Sequence, residues 1–152
     1  MEVFRLTRSK FSNILSGKGA AEKGARWNSM GMELIYTAAN RSLAMAEVAV
    51  HFTLGTLPTD YLMMTIKIPD DIKIKKISNS ELPIDWNIFP HSISTQLMGN
   101  KFIRENKFLV FQVPSVVTKG DYNYLINPNH KDFSKIKITG LEDFPFDTRI
   151  FK

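Results

Sequence analysis

Residues 33–53 read ELIYTAANRSLAMAEVAVHFT, and the change of pattern inside them sets the fold class. Glu33 to Ala38 is a short apolar run of strand type, whereas Arg41 to Thr53 is rich in Ala and Leu and predicts a helix capped by Asn40 or Ser42. Gly55 and Pro58 end that helix. Toward the N-terminus, Glu2 to Leu6 reads as a strand and Lys10 to Leu15 as a brief helix. Residues 16–31, SGKGAAEKGARWNSMG, hold four glycines and read as a loop whose backbone can approach a ligand closely. Toward the C-terminus the chain turns β-rich. Tyr61 to Ile68 is a strand stopped by Pro69, and Ile72, Ile74 and Ile77 alternate imperfectly with Lys73, Lys75 and Lys76. Leu82 to Pro90 is an irregular loop, and Ser94 to Glu105 is a second long helix with Gly99 set against it. Phe108 to Val113 and Lys135 to Thr139 complete the strands. Helices early and strands late predict an α+β fold rather than a regular βαβ succession.

A chain of 152 residues predicts one domain, residues 1–152, large enough to support a core without metals or disulfides. Its 43% hydrophobic and 23% charged residues are those of a globular protein. The absence of cysteine excludes a disulfide scaffold, a thiolate nucleophile and a zinc site built on sulfur. No apolar run approaches the roughly 20 residues that span a bilayer. The opening MEVFRLTRSKF carries charges where a signal peptide needs apolar residues, so a soluble, cytoplasmic protein without membrane contact is expected. The formal net charge of +5 suits an anionic partner or substrate and names no ligand.

A few residues stand out chemically. Glu47 sits in a helix that is apolar nearly all round. It is either on the single exposed stripe, paired with His51 one turn on, or a carboxylate at the wall of a pocket. Arg26 follows the glycine-rich segment beside Trp27 and Asn28, a setting in which a guanidinium and backbone N–H groups can cradle phosphate. The segment matches neither GxxxxGK[ST] nor GxGxxG, so a solvated surface arginine is the competing reading. Tyr36 is core or an aromatic platform. Ser115 ends a strand after Pro114, where its hydroxyl can reach its own backbone or a ligand, and PSVV lacks the GxSxG elbow of a nucleophilic serine. His51, His91 and His130 have no ligand spacing, and no metal is expected. The lysines between Asp71 and Lys76 serve a nucleic-acid-binding module or merely guard a sheet edge.

Taken in order, FRLT, LSGKGAAEKGARWNSMG, LIYTA, SLAMAEVAVH, LPIDW, STQLMGNKF, VPSVV, NYLINPNHKDF and FDTRIF resemble the RES-domain family of bacterial toxins, named for Arg, Glu and Ser. One departure is Gly24-Ala25, where the family shows two glycines before the arginine. The resemblance implies an ADP-ribosyltransferase-like fold, a split two-sheet β core with flanking helices and NAD in the cleft. It places the family's functional residues on Arg26, Tyr36, Glu47 and Ser115, with Arg26, Trp27, Asn28, Tyr36 and Ser115 at the NAD. It further implies a toxin that arrests growth by degrading NAD with water or phosphate as acceptor, or alternatively one that transfers ADP-ribose to a protein. The implied partner is a cognate Xre-like helix-turn-helix antitoxin whose terminal segment blocks the cleft in a hetero-oligomer, with no direct contact of the toxin to nucleic acid.

Overall fold

The computed structural model describes residues 1–151. Its main elements are β1 (Glu2–Arg8), α1 (Lys18–Lys23), β2 (Ile35–Ala38), α2 (Arg41–Ala49), β3 (Tyr61–Lys67), β4 (Ile74–Lys76), α3 (Ile93–Glu105), β5 (Val110–Pro114), β6 (Tyr122–Ile126) and β7 (Lys137–Asp143). The strands form a mixed sheet of order β4-β5-β6-β2-β1-β3-β7, in which β4 and β5 run parallel and the other neighbours antiparallel. The class is α+β, as the sequence predicts.

The sheet is nearly cut in two. β1 pairs β3 along its whole length, Glu2↔Lys67 to Arg8↔Tyr61, yet meets β2 at the single register pair Phe4↔Ala38. The expected split core is therefore two halves, β4-β5-β6-β2 and β1-β3-β7, joined at a narrow seam. One face packs a core of Val3, Ile35, Met64, Ile66, Val110 and Ile126. Side chains alternate across a strand, so Tyr36 and Ala38 share the opposite face. On that face α3 covers one half, where Phe102 joins Phe111, Val113 and Leu125. There α2 covers the other, where Leu43 and Ala44 join Leu6, Ala38 and Met63. Helix α2 thus bridges the seam, with Leu6 of β1 and Ala38 of β2 both packed beneath it.

Several local expectations change. The glycine-rich segment contains α1: Ala20, Ala21, Glu22 and Lys23 are good helix formers, and Gly17 and Gly24 cap its two ends. Lys10 to Leu15 yields only a 3-10 turn at Ser9–Phe11. Helix α2 begins as expected, with the Asn40 side chain accepting from the Leu43 N–H at 2.8 Å, but stops at Ala49 as the chain tightens into i→i−3 bonds from His51 to Val48 and Phe52 to Ala49. The strand β6, YNYLI, lies outside the predicted strands although Gly120 and the pair Asn127-Pro128 bracket it with turn residues. Lys75 and Lys76 fall on the edge strand β4, where lysines discourage pairing with another sheet.

Candidate active site

The helix register decides how Glu47 faces. Leu43 and Ala44 are the buried residues of α2, and Glu47 lies four and three positions beyond them, so it points to the same side, toward the sheet. It is half-buried, and its Oε1 accepts a hydrogen bond from Ser115 Oγ at 2.9 Å. The pairing with His51 gives way to this contact from across the fold. Ser115 is itself fixed from three directions at the end of β5. Its N–H donates to the Asp121 carbonyl at 2.8 Å, and its Oγ accepts from the N–H groups of Val117 and Thr118, each at 3.1 Å. With the hydroxyl's acceptor capacity taken by the backbone, its proton is directed at the carboxylate.

Arg26 approaches from the loop after α1. Its Nη1 donates to the carbonyls of Trp86 and Ile88, both at 2.9 Å, so the irregular loop between β4 and α3 aims the guanidinium. That role of residues 82–90 has no sequence signal, because carbonyls carry no side-chain identity. Burial lowers the Arg26 pKa, and the nearby Glu47 charge and Tyr36 act against that lowering. The guanidinium keeps its charge.

Tyr36, on β2 at the seam, accepts from the Trp27 N–H at 3.0 Å and donates to Asn28 Oδ1 at 2.7 Å. Burial pushes its hydroxyl well above the ordinary phenol range, against the Trp27 N–H and the Arg26 charge, so it stays neutral. Trp27 and Asn28, expected at the ligand, turn their side chains inward. The Trp27 indole meets Phe111 edge-on at 5.9 Å, and the fully buried Asn28 amide donates to the carbonyls of Ala20, Ser29 and Met32. Their contribution is to fix the backbone around Arg26. The alanine in Gly24-Ala25 causes no strain, because Gly24 takes the positive φ of 72° and Asn106 is the one non-glycine with positive φ among the described residues.

The structure thus links the sequence-predicted residues pairwise, Ser115 to Glu47 by a hydrogen bond and Arg26 to the vicinity of Glu47 and Tyr36, drawn from a loop, a strand, a helix and a strand end. A surface cavity of about 350 Å³ elsewhere on α2, lined by Met45, Ala46, Ala49, Val50, Val117 and Ile150, includes none of them. Among the described residues no group of three His, Cys, Asp or Glu side chains could hold a metal ion, and no helix is long and apolar enough to cross a membrane.

The RES domain family model matches residues 2–148. The chain belongs to the RES-domain family. This RES domain is 36% identical over 154 residues to the protein named Toxin Res of Photorhabdus laumondii, covering 100% of this chain and 98% of the relative. It is 31% identical over 147 residues to the Prs ADP-ribosylating toxin of a Sphingobium species, with 95% and 91% covered. Its fold is similar to that of a chain in the crystal structure of the M. tuberculosis MbcT–MbcA toxin–antitoxin complex, with a TM-score of 0.77 at 20% identity, covering 95% of this chain and 84% of that one.

Proposed function

We propose that this RES domain is a toxin that consumes NAD by cleaving the bond between nicotinamide and ribose, and that water or phosphate accepts the ADP-ribosyl group. The observation that carries the reading is the hydrogen bond of 2.9 Å from Ser115 Oγ to Glu47 Oε1, with the Arg26 cation close enough to feel the Glu47 charge. Cleavage of an N-glycosidic bond passes through an oxocarbenium-like transition state. A carboxylate fixed in place before the reaction stabilises that developing positive charge without reorganisation. Ser115 keeps one carboxylate oxygen in orientation and leaves the other for the sugar. Arg26, whose Nη1 is held by two carbonyls, retains donors for the pyrophosphate. Nicotinamide leaves as a neutral group from a cationic ring, so no second carboxylate is required as general acid.

The test is NAD incubated with purified protein, with and without phosphate, and every product identified. Release of nicotinamide with ADP-ribose or its phosphorylated form is expected. Intact NAD in the presence of protein that still arrests growth would sink the reading. A second reading is transfer of ADP-ribose to a protein, favoured by the 31% identity to a relative named for ADP-ribosylation. It predicts nicotinamide release with label retained on protein. The partner in either case is an antitoxin of helix-turn-helix type, attracted by the net charge of +5, with its terminal segment in the cleft of the cytoplasmic toxin.

A further inference from the structure

The segment STQLMGNKF, residues 94–102, lies on α3 and supplies none of the side chains described so far at the site. Gln96, Gly99 and Asn100 stand at i, i+3 and i+4 and share one face of the helix. That face meets the stretch Ala25–Ser29, which carries Arg26. Gln96 Nε2 donates to the carbonyls of Ala25 at 3.1 Å and Asn28 at 3.2 Å. Asn100, 2% exposed, accepts from the Ser29 N–H through Oδ1 at 3.0 Å and donates through Nδ2 to Ser29 Oγ at 2.7 Å. Between them the Trp27 carbonyl lies directly on the helix, and a Cβ at Gly99 would stand 1.5 Å from its oxygen. Only glycine permits that approach. Helix α3 therefore grips Ala25, Trp27, Asn28 and Ser29, the residues on both sides of Arg26.

We propose that Gln96, Gly99 and Asn100 are positioning residues for Arg26, so that α3 sets where the guanidinium stands relative to Glu47 and Ser115. The inference rests on the reading of Arg26 as a group that binds the substrate pyrophosphate. A misplacement of about 1 Å in such a group can cost on the order of 10²-fold, even when the change lies away from the chemistry.

The experiment uses Gln96→Leu, which keeps the bulk of a half-buried side chain and removes its donor, and Asn100→Ala. Gly99→Ala is expected to disturb folding and is only a companion. Amide hydrogen exchange is followed by NMR, and NAD cleavage is measured in the same proteins and in an Arg26→Ala background. In Gln96→Leu the Ala25 and Asn28 amides should lose protection while those of β5 and β6 keep theirs. The KM for NAD should rise by about ten- to a hundredfold with kcat much less affected. In the Arg26→Ala background the same change should add nothing further. Unchanged exchange at Ala25 and Asn28 would overturn the clamp. Unchanged NAD kinetics, or an equal loss without Arg26, would reduce it to a structural contact and overturn the positioning role. A wild-type protein that leaves NAD intact would remove the proposed function instead, and the exchange data would then decide by themselves whether α3 holds this stretch.

Discussion

Replacing Glu47 with Gln preserves shape and leaves an acceptor for Ser115, but it removes the negative charge that, in the proposed reaction, stabilises a cationic transition state. We expect turnover to fall by about 10²–10³, roughly 3–4 kcal/mol, with near-normal affinity for NAD. Steady-state kinetics of the folded variant check this, and full activity would remove Glu47 from the mechanism. Arg26→Lys keeps the charge, but with one nitrogen engaged by the Trp86 and Ile88 carbonyls it lacks the remaining guanidinium donors proposed for the pyrophosphate, so its KM should rise. Tyr36→Phe bears on stability, because it strips the acceptor from the Trp27 N–H and the donor from Asn28. A loss of about 1–3 kcal/mol in urea unfolding is expected. The pH dependence follows in sign. The folded-state pKa of Tyr36 is raised, so the unfolded chain releases this proton first, near the ordinary value of about 10. Its contribution is intact below that pH and is lost as pH rises toward the folded value, and Tyr36→Phe should flatten that alkaline decline. Arg26, Tyr36, Glu47 and Ser115 were legible as a set through the family resemblance. Their residue types alone left each open, because a half-buried glutamate and a surface glutamate look alike until the partner across the fold is known.

At the scale of elements, α2 carries Glu47 and depends on its start. The Asn40 cap satisfies the Leu43 N–H, and the Arg41 side chain pairs with Glu142 of β7. Asn40→Ala should cost about 0.5–2 kcal/mol in thermal or urea unfolding. A cost near zero would mean that packing of Leu43 and Ala44, rather than the cap, fixes the helix. Sequence reading found α2 and α3 because both are long and show helix-forming composition. Gly99 counted against α3 by intrinsic propensity, and the structure uses it for the approach of the Trp27 carbonyl, a tertiary demand that propensity does not contain. Helix α1 escaped for the opposite reason, since its flanking glycines obscured six residues of helix.

On the scale of the whole molecule, the strand order was not legible. β1 and β2 come early in the chain yet occupy the middle of the sheet, and their pairings with β3 and β6 are set by burial on both faces rather than by proximity in sequence. The prediction at this scale is cellular. Expression of the chain alone should lower NAD and stop growth, Glu47→Gln should do neither, and growth arrest with steady NAD would point to another target. The site also draws on both halves of the sheet, with Glu47 on α2, which packs across β1 and β2, and Ser115 at the end of β5. The hydrogen bond that joins them spans 68 positions of sequence. A nascent chain emerging from the ribosome therefore displays Arg26, Tyr36 and Glu47 well before the serine that orients the carboxylate has been made. Even after Ser115 appears, β5 still awaits β6, the strand that links it to β2. Translation thus completes the Glu47–Ser115 pair late, and a chain that stops short of Ser115 lacks it.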